Sequence, residues 1–176
     1  MVIRDKTFEI FISPEEIQRR ISEIAIELSD FWREKDPIFL CILNGSFVFA
    51  ADLFMKLDID AEISFVKLAS YNGDQSSGNV KTLIGLDKRL TGRHIVVIED
   101  IVDTGKTMRD LLPTLQTYQP ESVQIITLFT KPDALEHPIK TAHVGFELPN
   151  VFVVGYGLDY NGHGRNLNGI YKEVLD

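Results

Sequence analysis

Three carboxylates crowd into the stretch Glu99-Asp100-Ile101-Val102-Asp103-Thr104-Gly105-Lys106-Thr107, and the third is followed directly by hydroxyls, a glycine and a lysine. Paired acids can hold a metal ion or the hydroxyls of a sugar, and a lone acid can take up a proton. A glycine between threonines, at the opening of a helix, presents unpaired backbone N–H groups to an anion. A ligand with a phosphate at one end and hydroxyls or a metal nearby would use both halves, and a sugar phosphate fits that description. Gly105-Lys106-Thr107 also invites a nucleotide P-loop reading. That pattern needs a glycine five residues before Gly105, where this chain has Asp100. Taken alone, Asp103 or Thr104 could merely cap the helix, and Lys106 could be a solvated charge.

Such side chains need elements to position them. The run Ile95-Val96-Val97-Ile98 is apolar and β-branched, which suits a strand buried on both faces. Met108, Leu111, Leu112 and Leu115 recur at helical spacing, so the motif is predicted at the turn from a strand's carboxyl end into a helix. Pro113 falls inside that helical pattern and predicts a distortion. A second strand–turn–helix unit is predicted upstream, with a strand over 37–43, the turn Asn44-Gly45-Ser46 and a helix over about 47–56. Its glycine serves either a second anion seat or simply a tight turn.

Residues 7–12 predict a short strand, and Ser13-Pro14-Glu15-Glu16 a capped helix start. Ile17, Ile21, Ile24, Leu28 and Phe31 follow at helical spacing. A strand over 61–68 leads into the polar, glycine-bearing segment 69–81, read as a lid or as a hairpin tip. Residues 83–86 are predicted to pair back. A strand over 122–130 ends at Lys131, and two short strands over 143–149 and 151–155 precede Asp159 and Arg165. Individually, Lys131 reads as a solvated charge, Phe152 as core, Asp159 as a turn residue and Arg165 as surface.

At 176 residues the chain can bury a substantial core without staples. Its 18 basic and 26 acidic residues leave a net charge of −8, which argues against non-specific nucleic-acid binding. The one cysteine, Cys41, lies in an apolar run and is expected to be a buried core residue in a reducing compartment, the cytoplasm. The first residues carry no apolar signal-peptide core, so secretion is not expected. The most apolar region, 38–54, is interrupted by Asn44, Gly45, Ser46 and Asp52, so no membrane span is expected. The four histidines show no metal-ligand spacing.

Glu99 to Thr107 resembles the phosphoribosyl-diphosphate (PRPP) loop of the type I phosphoribosyltransferases. Within them the chain is most similar to the hypoxanthine-guanine phosphoribosyltransferases, from about Phe39 to Tyr171. The resemblance implies an α/β fold, a central parallel sheet flanked by helices. The whole of 1–176 would be one transferase domain, with a small hood from the N-terminal residues and roughly 149–176. It implies transfer of the 5-phosphoribosyl group from PRPP to N9 of hypoxanthine or guanine, giving IMP or GMP and diphosphate, in purine salvage. Thr104, Gly105, Lys106 and Thr107, with Asp103, would hold the 5-phosphate.

By the same resemblance, Glu99 and Asp100 would hold the ribose hydroxyls and, with Asp159, a Mg2+ ion. Leu43-Asn44-Gly45-Ser46 matches the loop that holds the diphosphate around a non-proline cis peptide, although many relatives carry a basic residue at the position of Asn44. Arg165 would face the diphosphate. Lys131 would donate to the 6-oxo group of the purine, Phe152 would stack on it and Val153 would offer its backbone. Ser70 and Tyr71 would begin the flexible loop, and Asp103 would be the general base at N7. A homodimer or homotetramer is expected, with no nucleic-acid or membrane partner. A PRPP-sensing nucleic-acid-binding regulator of the same fold is the second reading, disfavoured by the net charge. A generic sugar-phosphate binder leaves Lys131 and Phe152 together unexplained.

Overall fold

The computed structural model describes residues 1–69, 81–84, 86 and 88–175. Its first helix, α1 (Pro14–Trp32), begins as the sequence dictates. The Glu16 backbone N–H donates to Ser13 Oγ at 3.2 Å, and the Ser13 N–H donates to the Glu16 carboxylate at 2.9 Å. This reciprocal cap satisfies N–H groups that the first turn would otherwise leave open, with Pro14 placed where no donor is needed. Ile17, Ile21, Ile24 and Leu28 are buried as their spacing predicts. At the last turn the buried residue is Trp32, while Phe31 is 49% exposed and packs edge-on against the indole. The apolar stripe has drifted by one residue over the helix length.

The large sheet contains β3 (Ile38–Leu43), β4 (Glu62–Ala69), β5 (Lys81–Ile84), β6 (His94–Val102), β7 (Ser122–Thr130) and β8 (His143–Glu147). Its order is β5-β4-β3-β6-β7-β8, parallel except for β5, which runs antiparallel to β4. Alternation along the strands divides the core in two. Phe39, Cys41, Val96, Ile98, Ile126 and Leu128 face α1 and α2 (Phe47–Phe54). Ile38, Leu40, Ile42, Ile95, Val97 and Ile125 face α3 (Lys106–Gln116). Each such residue fully buried is worth about 1.5–3 kcal/mol relative to exposure.

The order of connection reverses between β3 and β6. β3 passes through α2 to β4 on one side, and β6 passes through α3 to β7 on the other. Loops leaving neighbouring strands in opposite directions open a crevice at their carboxyl ends. The register makes room for it, because β3 and β6 pair from Ile38↔Ile95 only as far as Cys41↔Ile98. β6 continues alone on that side, so Glu99 and Asp100 lie within the strand rather than after it.

α3 runs through Pro113 to Gln116. The ring removes the N–H that would serve the Arg109 carbonyl, but Arg109 and Pro113 are both exposed and water can take its place. A second sheet of order β1-β2-β10-β9 joins β1 (Val2–Ile3) and β2 (Lys6–Ile12) to β9 (Val153–Val154) and β10 (Ile170–Glu173), all antiparallel. Among the described residues no helix is long and apolar enough to cross a membrane.

Candidate active site

The end of β6 and the start of α3 form a candidate anion seat. Gly105, at φ 80°, is the N-cap of α3, and having no side chain it makes no capping bond of its own. Apart from a long bond from the Lys106 N–H to Thr104 Oγ1 at 3.4 Å, the first turn is left to face a small cavity of about 230 Å³ lined by Asp103, Thr104, Gly105, Lys106 and Thr107. A helix start with its dipole directed at a pocket suits a phosphate. The loop is clasped from behind. The Thr104 carbonyl accepts from the backbone N–H of both Glu136 and His137, each at 3.1 Å, and a Cβ on Gly105 would come within 2.5 Å of the His137 carbonyl.

A larger cavity of about 600 Å³ adjoins this seat, and Glu99, Asp103, Thr104, Lys106 and Thr107 line both. Glu99 and Asp100 are each 8% exposed and share a side-chain hydrogen bond, while Glu99 Oε2 has no partner among the described residues. Burial, and then the Asp100 charge, hold Glu99 well above the usual carboxylate range. Burial also raises Asp100, against the lowering effect of its hydrogen bonds. Such a carboxyl binds its proton more tightly folded than unfolded. The resulting stability is present at low pH and is lost as pH rises through the folded-state pKa.

Glu99→Gln should therefore stabilise the ligand-free protein above neutral pH, since its amide can donate to Asp100 without a charge to bury. Each pKa unit relieved is worth about 1.4 kcal/mol. At this chain length that is a rise in Tm of roughly 3–6 °C. The gain should shrink as pH falls toward the ordinary carboxylate range, and thermal melts at two pH values check it.

Asn44 and Gly45 line the cavity opposite the pair, after a cis Leu43–Asn44 peptide. A Cβ on Gly45 would lie 1.6 Å from Asp100 Oδ2, so only glycine lets the loop pass the carboxylate. Ser46 is turned the other way: it is fully buried, with its hydroxyl donating to the Ile42 carbonyl and 2.9 Å from Cys41 Sγ. Any part it plays in anion binding falls to its backbone. Arg165 reaches the rim, bonded to Asp159 and to the Gly157 carbonyl, each at 2.5 Å. Asp159 also accepts from the Gly162 N–H at 2.6 Å.

The remaining wall suits a planar ring. Phe152 is 39% exposed, with Phe8, Tyr160 and the Lys6 ammonium against its ring at 6.2, 5.7 and 5.2 Å. Val153 and Leu158 continue the wall. Across the cavity Lys131, only 7% exposed, donates to Asp103 at 3.0 Å. A buried ammonium and a carboxylate thus stand side by side where a ring on Phe152 would present its polar edge.

The residues named from the sequence thus converge on one cavity, with Gly105 in the adjoining seat and the Ser46 side chain in the core. Ser70 and Tyr71 lie outside the described residues. Sequence reasoning missed the lining residues Ile42, Leu68 and Asp110. The apolar ones look like core, and Asp110 looks like any charge on a helix. Among the described residues no three His, Cys, Asp or Glu side chains gather as a metal-holding group.

Residues 12–161 match the phosphoribosyl transferase domain model. The chain is 38% identical to a hypoxanthine-guanine-xanthine phosphoribosyltransferase of Tritrichomonas foetus, covering 97% of this chain and 95% of the relative. It is 41% identical to a hypoxanthine-guanine phosphoribosyltransferase of Bacillus subtilis, covering 95% and 94%. The crystal structure of a hypoxanthine-guanine phosphoribosyltransferase from Bacillus anthracis superposes with a TM-score of 0.88 at 32% identity, covering 97% of this chain and 99% of that one.

Proposed function

This chain belongs to the phosphoribosyltransferase family, among its hypoxanthine-guanine members, and on that premise we propose that it forms IMP or GMP from PRPP and hypoxanthine or guanine in purine salvage. The observation that carries the reading is the Lys131–Asp103 pair, 3.0 Å apart, facing Phe152 over a cavity that opens onto the α3 anion seat. In this reading the 5-phosphate occupies that seat on the N–H groups and hydroxyls of Asp103 to Thr107. The base lies on Phe152, with Val153 at its edge. Lys131 is a pure donor and favours a 6-oxo group over the 6-amino group of adenine.

The bond from C1 of the ribose to the diphosphate oxygen breaks as the bond to N9 forms, and the proton at N7 passes to Asp103. Positioning and charge management supply most of the acceleration. Asn44, Gly45 and the Ser46 backbone, with Arg165, take the diphosphate. Glu99 and Asp100 hold the ribose hydroxyls. The unpartnered Glu99 oxygen beside a second carboxylate also fits a Mg2+ ion that arrives with PRPP, since magnesium is commonly held by one or two carboxylates and substrate phosphates. Bound there, the ion would neutralise charge on the departing diphosphate. Asp159 is committed to Arg165 and Gly162, so we place it third in that set.

We further assign the whole chain to one transferase unit in which the small sheet is a hood over the base, with Ser70 and Tyr71 in the loop that closes the site. We place it in the cytoplasm, as a homodimer or homotetramer acting without nucleic acid. The test is nucleotide formation from PRPP, Mg2+ and each of hypoxanthine, guanine, xanthine and adenine in turn. Product with hypoxanthine or guanine and none with adenine is the expected result. Preference for adenine would overturn the role of Lys131, and no product with any base would overturn the reading.

A further inference from the structure

Where the two sheets meet, a polar cluster lies outside the cavity and has no part in the chemistry above. The Tyr156 hydroxyl donates to Asp52 Oδ2 on α2. The Gln18 amide on α1 donates to the same oxygen at 2.5 Å and lies 3.1 Å from the Tyr156 hydroxyl. Tyr156 is 3% exposed, and burial together with the Asp52 bond holds its phenol proton more tightly than usual. Its φ is 48°, a conformation that side chains of this size rarely adopt, so the surrounding contacts must hold it there.

The position of the cluster suggests what it holds. Tyr156 stands between Val153 and Leu158, in the segment that forms the base wall. The next residue, Gly157, is pressed against the diphosphate loop, since a Cβ there would come within 2.0 Å of the Gly45 carbonyl. Asp52 sits on the helix that begins where that loop ends. One half-buried carboxylate thereby ties the base wall to the diphosphate loop, and Gln18 ties both to α1.

Resting on the transferase reading, we propose that Gln18, Asp52 and Tyr156 are positioning residues that set the distance between N9 of the bound base and C1 of PRPP. None of them touches a substrate. Each substrate is held by a different part of the fold, so binding needs each part intact, whereas bond formation needs the two in register. An error of about 1 Å in such a placement can cost about 100-fold in rate.

Tyr156→Phe removes the hydroxyl and keeps the ring. The expected result is a fall in kcat of about 10-fold or more, with KM for PRPP and for the base each within about threefold. Asp52→Asn keeps an acceptor for the tyrosine and should hold kcat within about threefold, whereas Asp52→Ala should fall as Tyr156→Phe does. If Tyr156→Phe does not fold, Gln18→Leu probes the cluster from α1 and should lower kcat with both KM values kept.

Lower Tm with unchanged kcat per folded molecule would mark a merely structural cluster and overturn the proposal, as would raised KM values at unchanged kcat. Wild-type protein in the same assay separates the two levels. An inactive wild type removes the transferase reading and this proposal with it. An active wild type with unaffected variants removes the positioning role alone.

Discussion

Asp103→Asn should lower kcat by about 10²–10⁴, the usual worth of general acid–base help, while KM for PRPP stays within a few-fold. Asparagine keeps the size of the side chain and an acceptor oxygen for Lys131, which donates to Asp103 at 3.0 Å. It cannot take the proton from N7. The loop proposed to seat the phosphate is shaped by Gly105 and by the clasp on the Thr104 carbonyl, neither of which involves the Asp103 side chain. Steady-state kinetics against both substrates would therefore separate lost proton transfer from lost binding. A variant that keeps its kcat would remove Asp103 from the role of base, and one that loses only PRPP affinity would make it a ligand of the phosphate loop.

Gly45→Ala should be nearly as damaging, by another route. The new methyl would lie 1.6 Å from Asp100 Oδ2, so either the loop or the carboxylate must move. The carboxylate is buried and bonded to Glu99, and the loop is held on its far side by Gly157. Overpacking a site of this kind costs about 1–3 kcal/mol of stability. Displacing the diphosphate loop against the ribose carboxylates should also cut kcat/KM for PRPP by about 100-fold. Thermal melts together with PRPP kinetics check both parts. Unchanged kinetics would mean that the close approach of loop and acid is not needed for turnover.

Much of the architecture could be read from the order of residues. The cap at Ser13 to Glu16, the β-branched run before Glu99 and the leucine spacing after Gly105 each act locally, and each forms as local physical chemistry requires. The acids were legible as chemistry because carboxylates rarely cluster beside an apolar run without a ligand to hold. Their burial inside β6 was not legible. It follows from the early end of the β3–β6 pairing, which depends on a strand more than fifty residues away. The inward turn of Ser46 escaped for a similar reason, since its partners are Cys41 and the Ile42 carbonyl beneath the loop. Phe31 and Trp32 traded places because a helical stripe drifts slowly around a nineteen-residue helix, and adjacent aromatics leave the choice to the surface it meets. The contact between Tyr156 and Asp52 carried no signal, because the two lie more than a hundred residues apart.

The clasp on the Thr104 carbonyl has a consequence for how the specificity of this chain can change. Lys131 opens the stretch whose Glu136 and His137 N–H groups fasten the phosphate loop. On the proposed reading, one short span of backbone therefore serves the base at one end and the phosphate at the other. An insertion, a deletion or a shifted turn within 131–137 would change recognition of the purine only by loosening the grip on the sugar phosphate. New base preferences are thereby channelled into side-chain replacements on a backbone that keeps its path.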